Sequence, residues 1–155
     1  MRRALLTYLI PAFLFFTAAD PPNALAEFSA GVIQDIIHSK DSNGIVLRYD
    51  YRPWSMNGYG GGLGLSAFGW DAGGNKDYDL TAAFSLDYTL RVDLLDLSFG
   101  GAYISDVNSI NGTHLNFLLG AGVNIWKFRV HYTHFSNAHN KNNQGWNFIG
   151  LSFVF

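Results

Sequence analysis

Apolar and polar residues alternate one by one along most of this chain, in segment after segment of about ten residues. The cleanest run places Tyr78, Leu80, Ala82, Phe84, Leu86, Tyr88 and Leu90 at even positions. Asp79, Thr81, Ala83, Ser85, Asp87 and Thr89 fill the odd ones. Side chains on a β-strand point to opposite faces in turn, so such a run makes a strand with one apolar and one polar face. A helix would need its apolar residues at a period near 3.6 instead. The alternation predicts eight strands, near 28–37, 44–54, 59–70, 78–90, 94–105, 113–125, 126–136 and 146–155. In the second, Ile45, Leu47, Tyr49 and Tyr51 oppose Val46, Arg48, Asp50 and Arg52. In the sixth, Leu115, Phe117, Leu119, Ala121 and Val123 oppose His114, Asn116, Leu118, Gly120, Gly122 and Asn124.

Two architectures accept this pattern. In a transmembrane β-barrel the apolar faces meet lipid and the polar faces fill the interior. In a soluble β-sandwich the apolar faces meet each other and the polar faces meet water. Each segment is about the 9–11 residues that a tilted strand needs to cross a bilayer, or slightly more. The chain is also rich in aromatic residues (16%) and holds 17 glycines, which favours the barrel. The expected fold is therefore all-β: an eight-stranded antiparallel transmembrane β-barrel of the bacterial outer membrane. Its polar faces carry both signs of charge, Arg48, Arg52, Lys127 and Arg129 against Asp50, Asp79 and Asp87. An eight-stranded barrel is just wide enough for side chains to fill, so paired charges and small glycines predict a plug-free, non-conducting interior. Gly60–Gly62 and Gly64 are expected to serve close backbone packing or a bend.

Both ends of the chain agree with export to that membrane. Arg2 and Arg3 precede a mostly apolar run from Ala4 to Ala19, and Ala24-Leu25-Ala26 has the A-x-A form of a signal-peptidase site. Residues 1–26 are expected to be a removed signal peptide and residues 27–155 the barrel; an uncleaved anchor is the alternative. Without Arg2, Arg3 and Asp20 the chain keeps 8 basic and 11 acidic residues, which gives no support for a nucleic-acid partner. It has no cysteine, although the exported compartment would permit disulfides. The last residues, Gly150-Leu151-Ser152-Phe153-Val154-Phe155, resemble the assembly signal of bacterial outer-membrane proteins. Ile149, Leu151, Phe153 and Phe155 are then expected to face lipid.

The connections alternate in length. Long polar ones fall near 38–43, 71–77, 106–112 and 137–145, and tighter ones near 55–58, 91–93 and between the sixth and seventh strands. Outer-membrane barrels pair short periplasmic turns with longer extracellular loops. Eight strands then put both termini in the periplasm and the four long loops outside.

One place breaks the alternation. In the seventh segment Trp126, Phe128, Val130, Tyr132, His134 and Ser136 share a face. The last two are polar on a face meant for lipid, and the orientation puts them near the outer-leaflet interface. Their Cα atoms stand about 6.6 Å apart on an extended strand. A histidine acting as base on a serine hydroxyl is the minimum for nucleophilic acyl transfer. The same parity on the last strand brings Asn147 outward beside them, where its amide can orient the imidazole. A His and a Ser at a barrel rim are otherwise just interfacial polar residues. His131 and His114 are expected to be satisfied interior residues, and His38 and His139 have no partner at metal-ligand spacing. No metal site or cofactor motif is expected.

At this point the chain resembles a known family, the PagL-type outer-membrane lipid A 3-O-deacylases. The likeness runs over His134-Phe135-Ser136-Asn137-Ala138 and Asn143-Gln144-Gly145-Trp146-Asn147, more weakly over Phe99 to Ser105, and through the eight-strand layout. The resemblance implies a Ser-His-acid site on the outer surface of the barrel. Ser136 would be the nucleophile and His134 the base, with Asn143, Asn137 and Ala138 around the oxyanion. The family pattern has Glu at Asn147 and Gly at His139. The substrate implied is lipid A of lipopolysaccharide, among outer-membrane lipid, with no cofactor; a homodimer is compatible with this reading. The alternatives are a non-catalytic structural or adhesive barrel with a decayed site, and an esterase acting on phospholipid.

Overall fold

The computed structural model describes residues 25–38, 42–71, 80–137 and 145–155. Eight strands form one closed barrel: β1 Leu25–Asp35, β2 Asn43–Met56, β3 Tyr59–Trp70, β4 Thr81–Val92, β5 Leu95–Ile104, β6 Leu115–Ile125, β7 Phe128–Ser136 and β8 Trp146–Val154. Every strand pairs antiparallel with its neighbour in sequence, and β8 closes on β1 from Ser29↔Val154 to Asp35↔Phe148. Closure decides between the two architectures. A sandwich would keep two sheets with edges, whereas this sheet has none. Most of the expected signal segment, residues 1–24, lies outside the described residues; Leu25 and Ala26 pair with Arg52 and Tyr51 as the start of β1.

The outer wall is apolar from strand to strand. Val32, Leu47, Leu65, Leu86, Phe99, Leu119, Val130 and Leu151 all lie exposed on it. An apolar band that encircles a molecule is far larger than a water-facing surface carries, and lipid is the solvent that covers it. At one end the strands are joined by two-residue turns, Asn57-Gly58, Asp93-Leu94 and Trp126-Lys127. At the other lie the longer connections. We call these the turn end and the loop end. Near the turn end the rings of Phe28, Phe155, Phe153 and Phe128 meet in sequence, tilted or edge to face, across β1, β8 and β7, part of an aromatic girdle.

The interior has two layers. Toward the turn end it is ionic: Arg48 bridges Asp50 (2.7 Å) and Asp87 (2.9 Å), and Arg129 bridges Asp50 (2.9 Å), Glu27 (3.1 Å) and Asp96 (3.2 Å). Gly64 makes this possible, because a Cβ there would overlap the Arg48 guanidinium and crowd Asp87. Toward the loop end the interior is apolar, with Ile33, Phe68, Trp70, Ile104, Phe135, Trp146 and Phe148 packed together. Trp70 contacts Phe135, Trp146 and Phe148 at ring separations of 6.3, 5.5 and 5.0 Å. The expected ionic interior is therefore half of the answer; the other half is an aromatic plug.

Four local differences have simple causes. The seventh strand does not begin at Trp126, because Trp126 (φ 55°) and Lys127 make the turn and Ile125 pairs with Phe128. Neither is a usual turn former, so alternation runs through them unnoticed. Lys127 accordingly leaves the interior and lies over the Phe153 ring. β2 carries a bulge between Tyr51 and Trp54, where Pro53 has no N–H to give the ladder. His114 is not an interior residue: it is exposed ahead of β6, stacks on Tyr103 and bonds the Ile104 carbonyl through Nδ1 (2.8 Å). His131 does sit inside, 3.1 Å from the Ser152 hydroxyl.

Candidate active site

The strand β7 fixes the site by its pleat. Thr133 and Phe135 point inward and are buried, Phe135 completely, against the aromatic plug. Tyr132, His134 and Ser136 are left on the outer wall. Register sets their neighbours: Ser136 stands opposite Phe117, His134 opposite Leu119 on one side and Asn147 on the other. His134 and Ser136 line one outer groove together with Phe99, Phe117, Leu119 and Asn137. What the strand supplies is an imidazole and a hydroxyl two residues apart, on a wall otherwise made for hydrocarbon.

Among the described residues, four groups hold Asn147. His134 Nδ1 lies 2.8 Å from its Oδ1, the Tyr132 hydroxyl donates to the same oxygen at 2.5 Å, and Nδ2 donates to the Gly145 carbonyl at 2.9 Å. Its backbone carbonyl accepts from Ile36 N–H at 2.9 Å. With Nδ2 facing the Gly145 carbonyl, Oδ1 faces the ring, an arrangement that suits a proton on His134 Nδ1. Nε2 then bears the lone pair that a general base needs. Parity places Asn147 on the outer side, yet it is only 3% exposed.

Gly145 allows the approach. Its φ is +65°, and a Cβ would strike the Phe135 carbonyl and stand 2.9 Å from His134 Cε1. On its far side Gly145 N–H donates to the Ile110 carbonyl at 3.2 Å. The β5–β6 loop thus braces the site. Asn111 holds that loop by donating to the carbonyls of Asp106 (2.7 Å) and Thr113 (3.1 Å) and accepting from Asn108 N–H (2.9 Å). The Asn111 carbonyl in turn accepts from the Asn137 side-chain amide. The Asn137 side chain therefore braces the β5–β6 loop. Ala138 and Asn143 lie outside the described residues.

Sequence reasoning brings His134, Ser136 and Asn147 to one place and misses Tyr132 and Asn111. Tyr132 had a signal, being on the same face two residues before His134. Asn111 had none, since only the folded loop brings it under Asn137. Among the described residues no three His, Cys, Asp or Glu side chains converge as a metal would require. The described residues thus put an imidazole bonded to an amide, and a hydroxyl two residues further on, at one apolar groove of the outer wall.

No family model matches this chain, and no curated protein matches it. A solved structure does: the Yersinia pestis outer membrane protein Ail, whose backbone was determined in a phospholipid bilayer nanodisc. The TM-score is 0.53 at 16% identity, over 84% of this chain and 98% of that one. The fold is that of a small outer-membrane barrel. At this identity the likeness carries the fold and no chemistry.

Proposed function

We propose that this barrel is an outer-membrane serine esterase that removes the 3-O-linked hydroxyacyl chain of lipid A in the outer leaflet. The observation that carries the reading is the His134–Asn147 hydrogen bond, which leaves Nε2 as the basic nitrogen in a groove shared with Ser136. In this mechanism Nε2 takes the Ser136 proton as Oγ attacks the ester carbonyl. The tetrahedral oxyanion is held by backbone N–H groups after Ser136 and by the Asn143 side chain. His134 returns the proton to the leaving sugar hydroxyl, and water then releases the acyl group by the reverse sequence. In this reading the loop end faces outward and both termini face the periplasm, so the groove opens toward the outer leaflet. A site on the outer wall suits an acyl chain that already lies beside the barrel.

A second reading, a non-catalytic structural or adhesive barrel, is favoured by two observations. The solved neighbour supports a small outer-membrane barrel and nothing more specific, and position 147 holds an amide, which stabilises an imidazolium less than a carboxylate would. Covalent labelling separates the readings. The folded protein in detergent is treated with a long-chain alkyl phosphonate and its peptides are sequenced by mass spectrometry. The esterase carries the adduct on Ser136 and the His134→Gln variant does not. Absence of an adduct on the wild type selects the non-catalytic barrel.

A further inference from the structure

Tyr132 is half-way exposed on the lipid-facing wall, where a tyrosine ordinarily sends its hydroxyl to water or headgroups. Here the hydroxyl turns back into the wall. Tyr132 stands opposite Ile149, yet its oxygen reaches diagonally past that residue to the buried Asn147 amide, 2.5 Å from Oδ1. The Tyr132 hydroxyl and the His134 Nδ1 thus meet on one amide oxygen.

We propose that Tyr132 is a positioning residue that enables an amide to do what a carboxylate would do: hold His134 as the base for Ser136. The proposal rests on the esterase reading above. A carboxylate presents only acceptors to an imidazole, whichever way it turns. An amide has a wrong way round. With Nδ2 toward the ring, Nδ1 would have to accept, the proton would move to Nε2, and the base would be lost. Two contacts oppose that flip. Gly145 offers a carbonyl that only Nδ2 can satisfy, and Tyr132 fills the second lone pair of Oδ1. The Gly145 bond also pushes electron density onto Oδ1, which makes that oxygen a better acceptor for the ring N–H. Tyr132 touches neither the nucleophile nor the reacting carbon, so it acts through Asn147 alone.

Tyr132→Phe keeps the ring and its lipid contact and removes only the hydroxyl. The full folded chain, ¹⁵N-labelled at histidine in detergent micelles, reports the His134 tautomer by NMR, assigned against His134→Gln. The wild type is expected as the Nδ1–H tautomer, and Tyr132→Phe as a mixture with a clear Nε2–H population. For hydrolysis of lipid A in mixed micelles, kcat is expected to fall about tenfold with KM unchanged, the scale of one hydrogen bond. In an Asn147→Glu background the same change is expected to cost little, because a carboxylate needs no help to face the ring. An unchanged tautomer in Tyr132→Phe overturns the proposal, and so does an equal loss of kcat in both backgrounds. A wild type that hydrolyses nothing sinks the esterase reading instead, and the tautomer still decides the role of Tyr132.

Discussion

Glycine at position 145 is the residue on which the site most depends without taking part in chemistry. It adopts a φ of +65° and lets His134 Cε1 come within van der Waals reach. Gly145→Ala adds about 1–2 kcal/mol of backbone strain and displaces the ring from Asn147. Lipid A hydrolysis is expected to fall at least about tenfold, while the heat-dependent gel shift of the folded barrel persists; a variant as active as wild type would show that the ring tolerates displacement. His134 and Ser136 were legible in the sequence because they break an alternation that is otherwise kept, and Asn147 because parity carries across a hairpin. The covering of Asn147 was not legible. Parity fixes the side of the wall to which a residue points, and says nothing of what the loops lay over it.

Elements behave as pattern and length require. All eight strands were readable, since each keeps its period over nine residues or more, and most boundaries fall within two or three residues of those expected. The β6–β7 connection was misread for a definite reason. Turns are recognised by Gly, Asn or Asp, as at Asn57-Gly58, and Trp126-Lys127 has none of them. The β5–β6 loop has a role that appears only in the folded state, where Asn111 ties the loop together and receives Asn137. Asn111→Ala removes both donors and one acceptor from buried partners, about 1–3 kcal/mol for each group left unsatisfied. Amide exchange over residues 105–114 is expected to quicken and hydrolysis to fall together. Faster exchange with full activity would separate the loop from the site.

The whole barrel is held by two dissimilar layers, ionic near the turns and aromatic near the loops. The ionic layer is sensitive because Asp50, Asp96 and Arg129 are buried against one another. Arg129 joins Asp50, Glu27 and Asp96 from three other strands, so Arg129→Met leaves buried carboxylates short of a cation, a loss of about 3–5 kcal/mol. The urea midpoint for unfolding in detergent should drop accordingly, while the folded fraction hydrolyses lipid A at the wild-type rate. Alternation alone could not choose between barrel and sandwich, because both bury one face of every strand. The choice lies in the pairing of the first strand with the last, a contact between residues more than a hundred positions apart.

In the proposed function a lipid-facing Ser136 cleaves an ester of lipid A. Lipid A extracted from bacteria producing the wild-type chain or Ser136→Ala, at equal amounts of folded barrel, is compared by mass spectrometry. The wild type should yield lipid A lighter by one 3-hydroxyacyl chain, with Ser136→Ala leaving the parent species intact. The same acyl pattern from both would contradict the claim.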